Sequence, residues 1–108
     1  LEVYLRVHRG NGGEPAAGRH LKAWAREAGF TSVESSASVW VFESAEERAW
    51  WGQSWASRAV DSQFATHAIE SGAADRKTLE RIADGWREWA AAEDGWLLMP
   101  HAEILARR

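Results

Sequence analysis

The period of the hydrophobic positions along this 108-residue chain changes several times, and each change marks a new element. In residues 1–9 (LEVYLRVHR), Leu1, Leu5 and His8 share one helical face while Val3, Tyr4 and Val7 share another. That pattern predicts a short helix buried on two sides. Asn11-Gly12-Gly13 breaks it, because glycine and asparagine accept the left-handed backbone region. The triplet reads either as a C-cap with a turn or as a loop at the rim of a cleft. Pro15 suits a first helical turn, where its missing N–H is no loss. Leu21, Trp24, Ala25 and Ala28 then recur at i, i+3, i+4 and i+7, so residues 15–28 read as one amphipathic helix. Gly29 stops it, and Phe30 is expected to fold back onto it. Residues 33–42 (VESSASVWVF) alternate as a strand does, with Val33, Ala37, Val39 and Val41 on one face and Trp40 and Phe42 on the other. Both faces turn apolar toward the C-terminal end, which predicts two-sided burial there.

Residues 44–95 carry three helical patterns in a row and five of the eight tryptophans: Trp50, Trp51, Trp55, Trp86 and Trp89. Ser44 and Glu47 form a capping box that opens the first, running to about Ala59. Trp51, Trp55 and Ala59 are spaced by four on one face, and Gly52 leaves room for something to pack close to the backbone. Residues 62–71 make a second helix, with Phe64, Ala65, Ala68 and Ile69 inward and Gly72 as its stop. Asp75 caps a third, in which Leu79, Ile82, Ala83, Trp86 and Ala90 form a stripe. Asp94-Gly95 is a turn signal. Residues 96–106 (WLLMPHAEILA) close the chain as a strand. Pro100 cannot donate to a ladder, so it marks an edge, a bulge or the strand's start, with regular pairing expected from His101 onward.

The fold class predicted is therefore α/β within a single partial domain. Residues 1–32 supply helices ahead of a strand pair, residues 33–42 and 96–106 are the strands, and residues 44–95 form a helical cap between them. Composition changes the picture in one respect, since eight tryptophans in so short a chain imply an aromatic surface that is part core and part pocket or interface. A net charge of -3 without a basic block argues against a nucleic-acid partner. No apolar run approaches the roughly 18–20 residues that cross a bilayer, so no membrane partner is expected. The chain has no cysteine, hence no thiolate metal site, and a reducing cytoplasmic location is expected. It begins with Leu1 rather than Met, which is read as the start of a piece of a longer protein.

Candidate chemistry is sparse. No two of His8, His20, His67 and His101 stand at metal-ligand spacing, so no metal site is expected. His101 follows Pro100 inside an apolar strand, where it is a hydrogen-bonded structural histidine or a base. The glutamates sit at helix starts and on polar faces, and no carboxylate pair stands out for glycosidase-type acid chemistry. A nucleophile elbow and a P-loop are absent, and no G-x-G-x-x-G follows a strand. Trp51, Trp55 and Trp86 read as the core of the cap; alternatively one or two tryptophans of the insert, Trp50 or Trp51 first, line an apolar substrate pocket.

The run NGGEPAAGRHLKAWAREAGF, a strand leading into SVWVFESAEERAWW, the helical insert with ADGWREWAAAEDGW, and the closing HAEILARR together point to a family. Nearly the whole chain resembles the C-terminal part of a class I S-adenosylmethionine-dependent methyltransferase. The likeness is to actinobacterial small-molecule enzymes related to the ubiquinone/menaquinone type. Its most specific parts are GR.L..W...AGF and EERAWW, neither of which carries chemistry. The resemblance implies a Rossmann-like sheet of seven strands, with residues 33–42 as the sixth, residues 96–106 as the antiparallel seventh and the insert as a substrate lid. It also implies in-line displacement at a sulfonium methyl, helped mainly by positioning. The family's cofactor elements lie in its first half, so S-adenosylmethionine is expected in a full-length parent and no cofactor site in this chain. Substrate contacts are then expected from Tyr4, His8, Asn11, Trp51, Trp55 and His101, with the catalytic residues unknown. The expected partners are a small-molecule methyl acceptor and either the missing N-terminal half or a second copy.

Two rival readings remain open: a stand-alone binding or interaction module with an aromatic pocket, and a small enzyme built around His101. A two-stranded sheet with an open edge and an apolar face predicts self-association of the isolated chain. Sedimentation at high micromolar concentration checks it, and a strictly monomeric profile would count against it.

Overall fold

The computed structural model describes all 108 residues. The elements run in the order α1 (Glu2–Gly10), a 3-10 turn (Ala17–Arg19), α2 (Leu21–Glu27), β1 (Ser32–Phe42), α3 (Ala45–Asp61), α4 (Gln63–Glu70), α5 (Arg76–Ala91) and β2 (Leu97–Arg107). The fold is α/β, with five α-helices and one antiparallel sheet made of β1 and β2. The chain divides into two compact units. A helical unit comprises Leu1–Gly13 and Phe42–Leu97, and a strand unit comprises Glu14–Val41 and Leu98–Arg108.

In the helical unit, α3 opens on the capping box read from the sequence. Ser44 Oγ accepts from the Glu47 N–H, and Glu47 Oε2 accepts from the N–H groups of Ser44 and Glu43, both at 3.0 Å. Asp75 caps α5 by accepting from the Thr78 N–H at 2.8 Å. The buried face of α3 is Arg48, Gly52, Ala56 and Ala59, a seam of small residues headed by one arginine. Against it lies α5: a methyl group placed on Gly52 would stand 2.7 Å from Ala90 Cβ and 2.8 Å from the Trp86 carbonyl oxygen. The glycine is thus required by close backbone approach, as its position between two tryptophans suggested. Ala56, Ala59 and Ala83 form one buried cluster on this seam. A second cluster joins Val7 of α1 to Ala65 and Ala68 of α4 and to Leu79 of α5, which is fully buried. Truncating a leucine in such a setting costs about 2–5 kcal/mol. Helix α1 therefore packs on α4 and belongs to the same body as the insert.

Arg48 is only 8% exposed and has no carboxylate partner. Its Nη1 donates to the Glu43 carbonyl, and its Nε donates to the Ala90 carbonyl at 3.4 Å. The last turn of α5 has no basic residue of its own, so this guanidinium supplies the positive charge that a helix C-terminus favours.

In the strand unit, the helix expected over residues 15–28 is broken. The 3-10 turn closes through Arg19 N–H to Ala16 C=O and His20 N–H to Ala17 C=O, and only then does α2 begin. The break has a steric companion at Gly18, where a methyl group would meet Ala102 Cβ of β2 at 2.9 Å. Helix α2 ends as read: Gly29 takes φ 92, its N–H donates to Arg26 C=O, and the Phe30 N–H donates to Ala25 C=O. That is a Schellman cap, and α1 ends with the same pattern at Gly12. The two-sided burial expected at the end of β1 is not found: Val39, Trp40 and Val41 are 54%, 51% and 46% exposed. Two strands leave both sheet edges open, and Ala25 is this unit's one buried apolar residue. β2 runs from Leu97, one residue after the expected start, and Pro100 sits within it ahead of His101, where an outer edge tolerates it. The burial alternation of β2 changes phase between His101 and Ile104, as a bulge would cause.

The seam predicts opposite outcomes for two glycines on facing helices. Gly52→Ala should destabilise by about 1–3 kcal/mol, because the Trp86 carbonyl is backbone and cannot swing away. Gly85 of α5 has nothing within 4 Å of the place a methyl group would take and an ordinary φ, so Gly85→Ala should stabilise by about 0.5–1 kcal/mol. Thermal unfolding of the two variants checks both signs.

Candidate functional site

Because the α3–α5 seam is filled by small side chains, Trp51, Trp55, Trp86 and Trp89 flank it and stay half-buried, while Trp50 is exposed. They join into a continuous aromatic layer on the helical unit. Trp51 and Trp55, one helical turn apart, lie 5.9 Å apart between ring centroids. Trp51 meets Phe42 at 4.3 Å and Trp50 at 5.8 Å. Trp55 meets Trp86 of α5 at 5.9 Å, and Trp86 meets Trp89 edge-on. From α1, Tyr4 presents an edge to Trp55 at 5.8 Å and stacks on His8 at 5.7 Å. The Arg58 guanidinium lies 4.6 Å above the Trp55 ring, a cation–π contact.

Of the residues proposed from the sequence, Tyr4, His8, Trp51 and Trp55 are thus linked ring to ring. Asn11 lies in the same unit, where its side-chain amide donates to His67 Nδ1 at 3.2 Å and ties the end of α1 to α4. His8 is held by the turn that follows α1, since its ring occupies the place a side chain on Gly13 would take. The Trp51 indole Nε1 is buried with no acceptor, an unmade bond for a group that can only donate. Sequence reasoning does not place Phe42 and Arg58 in this layer. By its pattern Phe42 is only the end of a strand, while the fold carries it into the helical unit.

His101 belongs to the strand unit. Its ring centroid lies 4.1 Å from that of Trp40, and its Nδ1 is buried without a partner. Glu103 accepts from Ser38 Oγ at 2.6 Å and Ser36 Oγ at 3.1 Å, one on each carboxylate oxygen. The Ser38 hydroxyl, then that of Ser36, hold its carboxyl below the usual glutamate range, with the nearby His101 adding to the effect. Catalytic equipment is otherwise thin. The two ion pairs, Arg76–Glu80 and Arg87–Asp84, are exposed pairs along one helix. No three His, Asp or Glu side chains converge as a metal site would need. A groove of about 530 Å³ along α3 and α5 is lined by Ala49, Gln53, Arg87, Ala90 and Ala91 and holds no acid–base pair.

No family model matches the chain, and no solved structure matches it. Over 100 aligned residues it is 29% identical to an uncharacterized methyltransferase of Schizosaccharomyces pombe. The chain is similar to part of a methyltransferase. The alignment covers 91% of this chain and 35% of that protein, so the chain spans about a third of its relative's length. No helix is long and apolar enough to cross a membrane.

The Glu103 bridge gives the strand pair a pH dependence of known sign. A carboxyl held below its ordinary value stabilises the fold fully above the usual glutamate range. That contribution is lost as pH falls through the lowered value, when the ionised acceptor of both serines disappears. Amide exchange in β1 and β2 should therefore quicken in acid, and Glu103→Gln should show a smaller acid-dependent change than the parent. Equal pH dependence in the two proteins would remove the bridge as its cause.

Proposed function

We propose that the chain is the C-terminal substrate-recognition part of an S-adenosylmethionine-dependent methyltransferase acting on a small molecule, inactive without a cofactor-binding half. The observation that carries this reading is the span of the similarity: nearly all of this chain against about a third of a methyltransferase. The open strand pair supports it, since β1 and β2 expose apolar side chains at Val39, Trp40, Val41, Leu98 and Leu105. They would serve as the sixth and seventh strands of a Rossmann-like sheet, with α3, α4 and α5 as a cap over the acceptor.

The residues present do not fit the cofactor. Its glycine-rich loop would follow a strand, whereas the glycines at positive φ here, Gly12, Gly29 and Gly72, all follow helices. The methyl donor would be held by the part of the protein outside this chain. What this chain contributes is the acceptor's surroundings. The Tyr4–Trp55–Trp51–Phe42 layer offers flat apolar area with few rotatable bonds, and Trp51 Nε1 offers one donor awaiting an acceptor. Such a surface favours a planar or largely apolar acceptor and keeps water from it. The cytoplasm remains the proposed location. A stand-alone binding module would use the same aromatic layer and differs in what precedes Leu1.

The coding DNA upstream of Leu1 decides between them. An in-frame strand and glycine-rich loop roughly 100–150 residues back would support the methyltransferase reading. A start codon immediately upstream with no such loop would overturn it. In the longer protein, Trp55→Ala should lower kcat/KM for the acceptor by about tenfold or more with cofactor affinity unchanged. Equal losses in cofactor binding would mean that Trp55 merely supports the fold.

A further inference from the structure

The strand unit has a groove of its own. Pro15, Ala16 and the 3-10 turn form one wall, and Ala37 of β1 with Pro100, His101 and Ala102 of β2 form the other, around about 490 Å³. That volume falls within the range of small-molecule sites, roughly 300–1,000 Å³. Gly18 brings the turn against Ala102, so the walls touch at one point and the remaining lining is alanine and proline. Only two lining side chains, Arg19 and His101, carry nitrogen donors.

Neither is satisfied by the chain. Arg19 makes no ion pair and its side chain no hydrogen bond, and His101 has a buried ring nitrogen with no partner. The acids nearest in sequence are already engaged. Glu14 Oε1 accepts from the Ala16 N–H at 2.8 Å, and both Glu103 oxygens take serine hydroxyls. An exposed guanidinium without an ion pair and an under-satisfied imidazole line one groove with small apolar walls, a donor set suited to an acceptor carrying negative charge.

We propose that this groove binds a small molecule through an oxyanion, a carboxylate or a phosphate, received by the Arg19 guanidinium and the His101 imidazole. Arg19 supplies a planar fork that matches two oxygens at once. His101 lines the groove with a ring nitrogen, Nδ1, that is buried and has no partner, and a half-turn about χ2 exchanges that nitrogen with a carbon in the same space. A net charge of -3 and the lack of a basic stripe limit the ligand to a small anion rather than a nucleic acid. The inference stands on this groove alone and does not require the methyltransferase reading.

The test uses the 15N-labelled chain, titrated separately with inorganic phosphate and with succinate against a chloride control of equal ionic strength. The expected result is a saturable shift of the His101 ring and of the amides of residues 16–19 and 101–102 with at least one anion, the tighter one naming the headgroup. Arg19→Gln should weaken binding about tenfold or more, as loss of a charge-assisted bond does. Lys22→Gln removes a nearby cation that does not line the groove and should leave affinity unchanged. Shifts that grow linearly without saturation, or that survive unchanged in Arg19→Gln, overturn the site. Equal weakening in both variants reduces the effect to net charge and overturns it as well. None of these outcomes bears on the upstream coding DNA, so failure here is distinct from failure of the proposed function.

Discussion

Helices α3 and α5 approach so closely that the carbonyl of Trp86 occupies the space a side chain on Gly52 would need. Much of the helical unit follows from that contact. A seam of Gly52, Ala56 and Ala59 against Ala83 has no room for an indole, so the bulky residues of the same helices are displaced to its flank. Close-packed interiors leave little slack for compromise. Small residues make the core, and large ones make a surface that is only half covered.

That division of labour separates a buried core of small residues from a half-covered aromatic surface. The buried clusters are mostly alanine, with Leu79 and Val7 as the larger members, and they hold α1, α3, α4 and α5 together. The rings of Tyr4, Trp51, Trp55 and Phe42 touch one another but remain partly open to solvent. Aromatic side chains combine large contact area with few torsions to freeze, which suits them to receive a ligand. The strand unit shows the reverse arrangement, with a single buried alanine and a wealth of exposed apolar residues.

The elements are legible in the sequence wherever one local signal suffices. The Ser44–Glu47 capping box, the Asp75 cap and the glycine stops at Gly29 and Gly72 are short-range devices, and each lies where its pattern puts it. Helix α2 reads too long because the periodicity of Leu21, Trp24 and Ala25 extends back through Gly18, whose contact with Ala102 is long-range. The exposure of Val39–Val41 is not a local property either, because an apolar strand end reports what it needs and not whether this chain supplies it. The ring contact of Trp51 with Trp55 at helical spacing is visible in the sequence, whereas Tyr4 and His8, read onto different faces of α1, stack on each other. The link from Tyr4 to Trp55 and the unmade bond at Trp51 Nε1 depend on how α1 and α3 are brought together. Arg48 gives no signal at all, since a lone arginine in a charged first turn reads as solvated.

Yet Arg48 touches both ends of the excursion between the strands. It holds the Glu43 carbonyl just after β1 and the Ala90 carbonyl near the end of α5, and its Cδ lies beside Gly95 just before β2. A connection of this length would ordinarily tax strand pairing through the entropy of closing a long loop. With its two ends clamped by one guanidinium, the segment presents itself to β1 and β2 as a short tether whose span is already set. The residues between those two ends then bear less directly on strand pairing than the length of the segment alone would suggest.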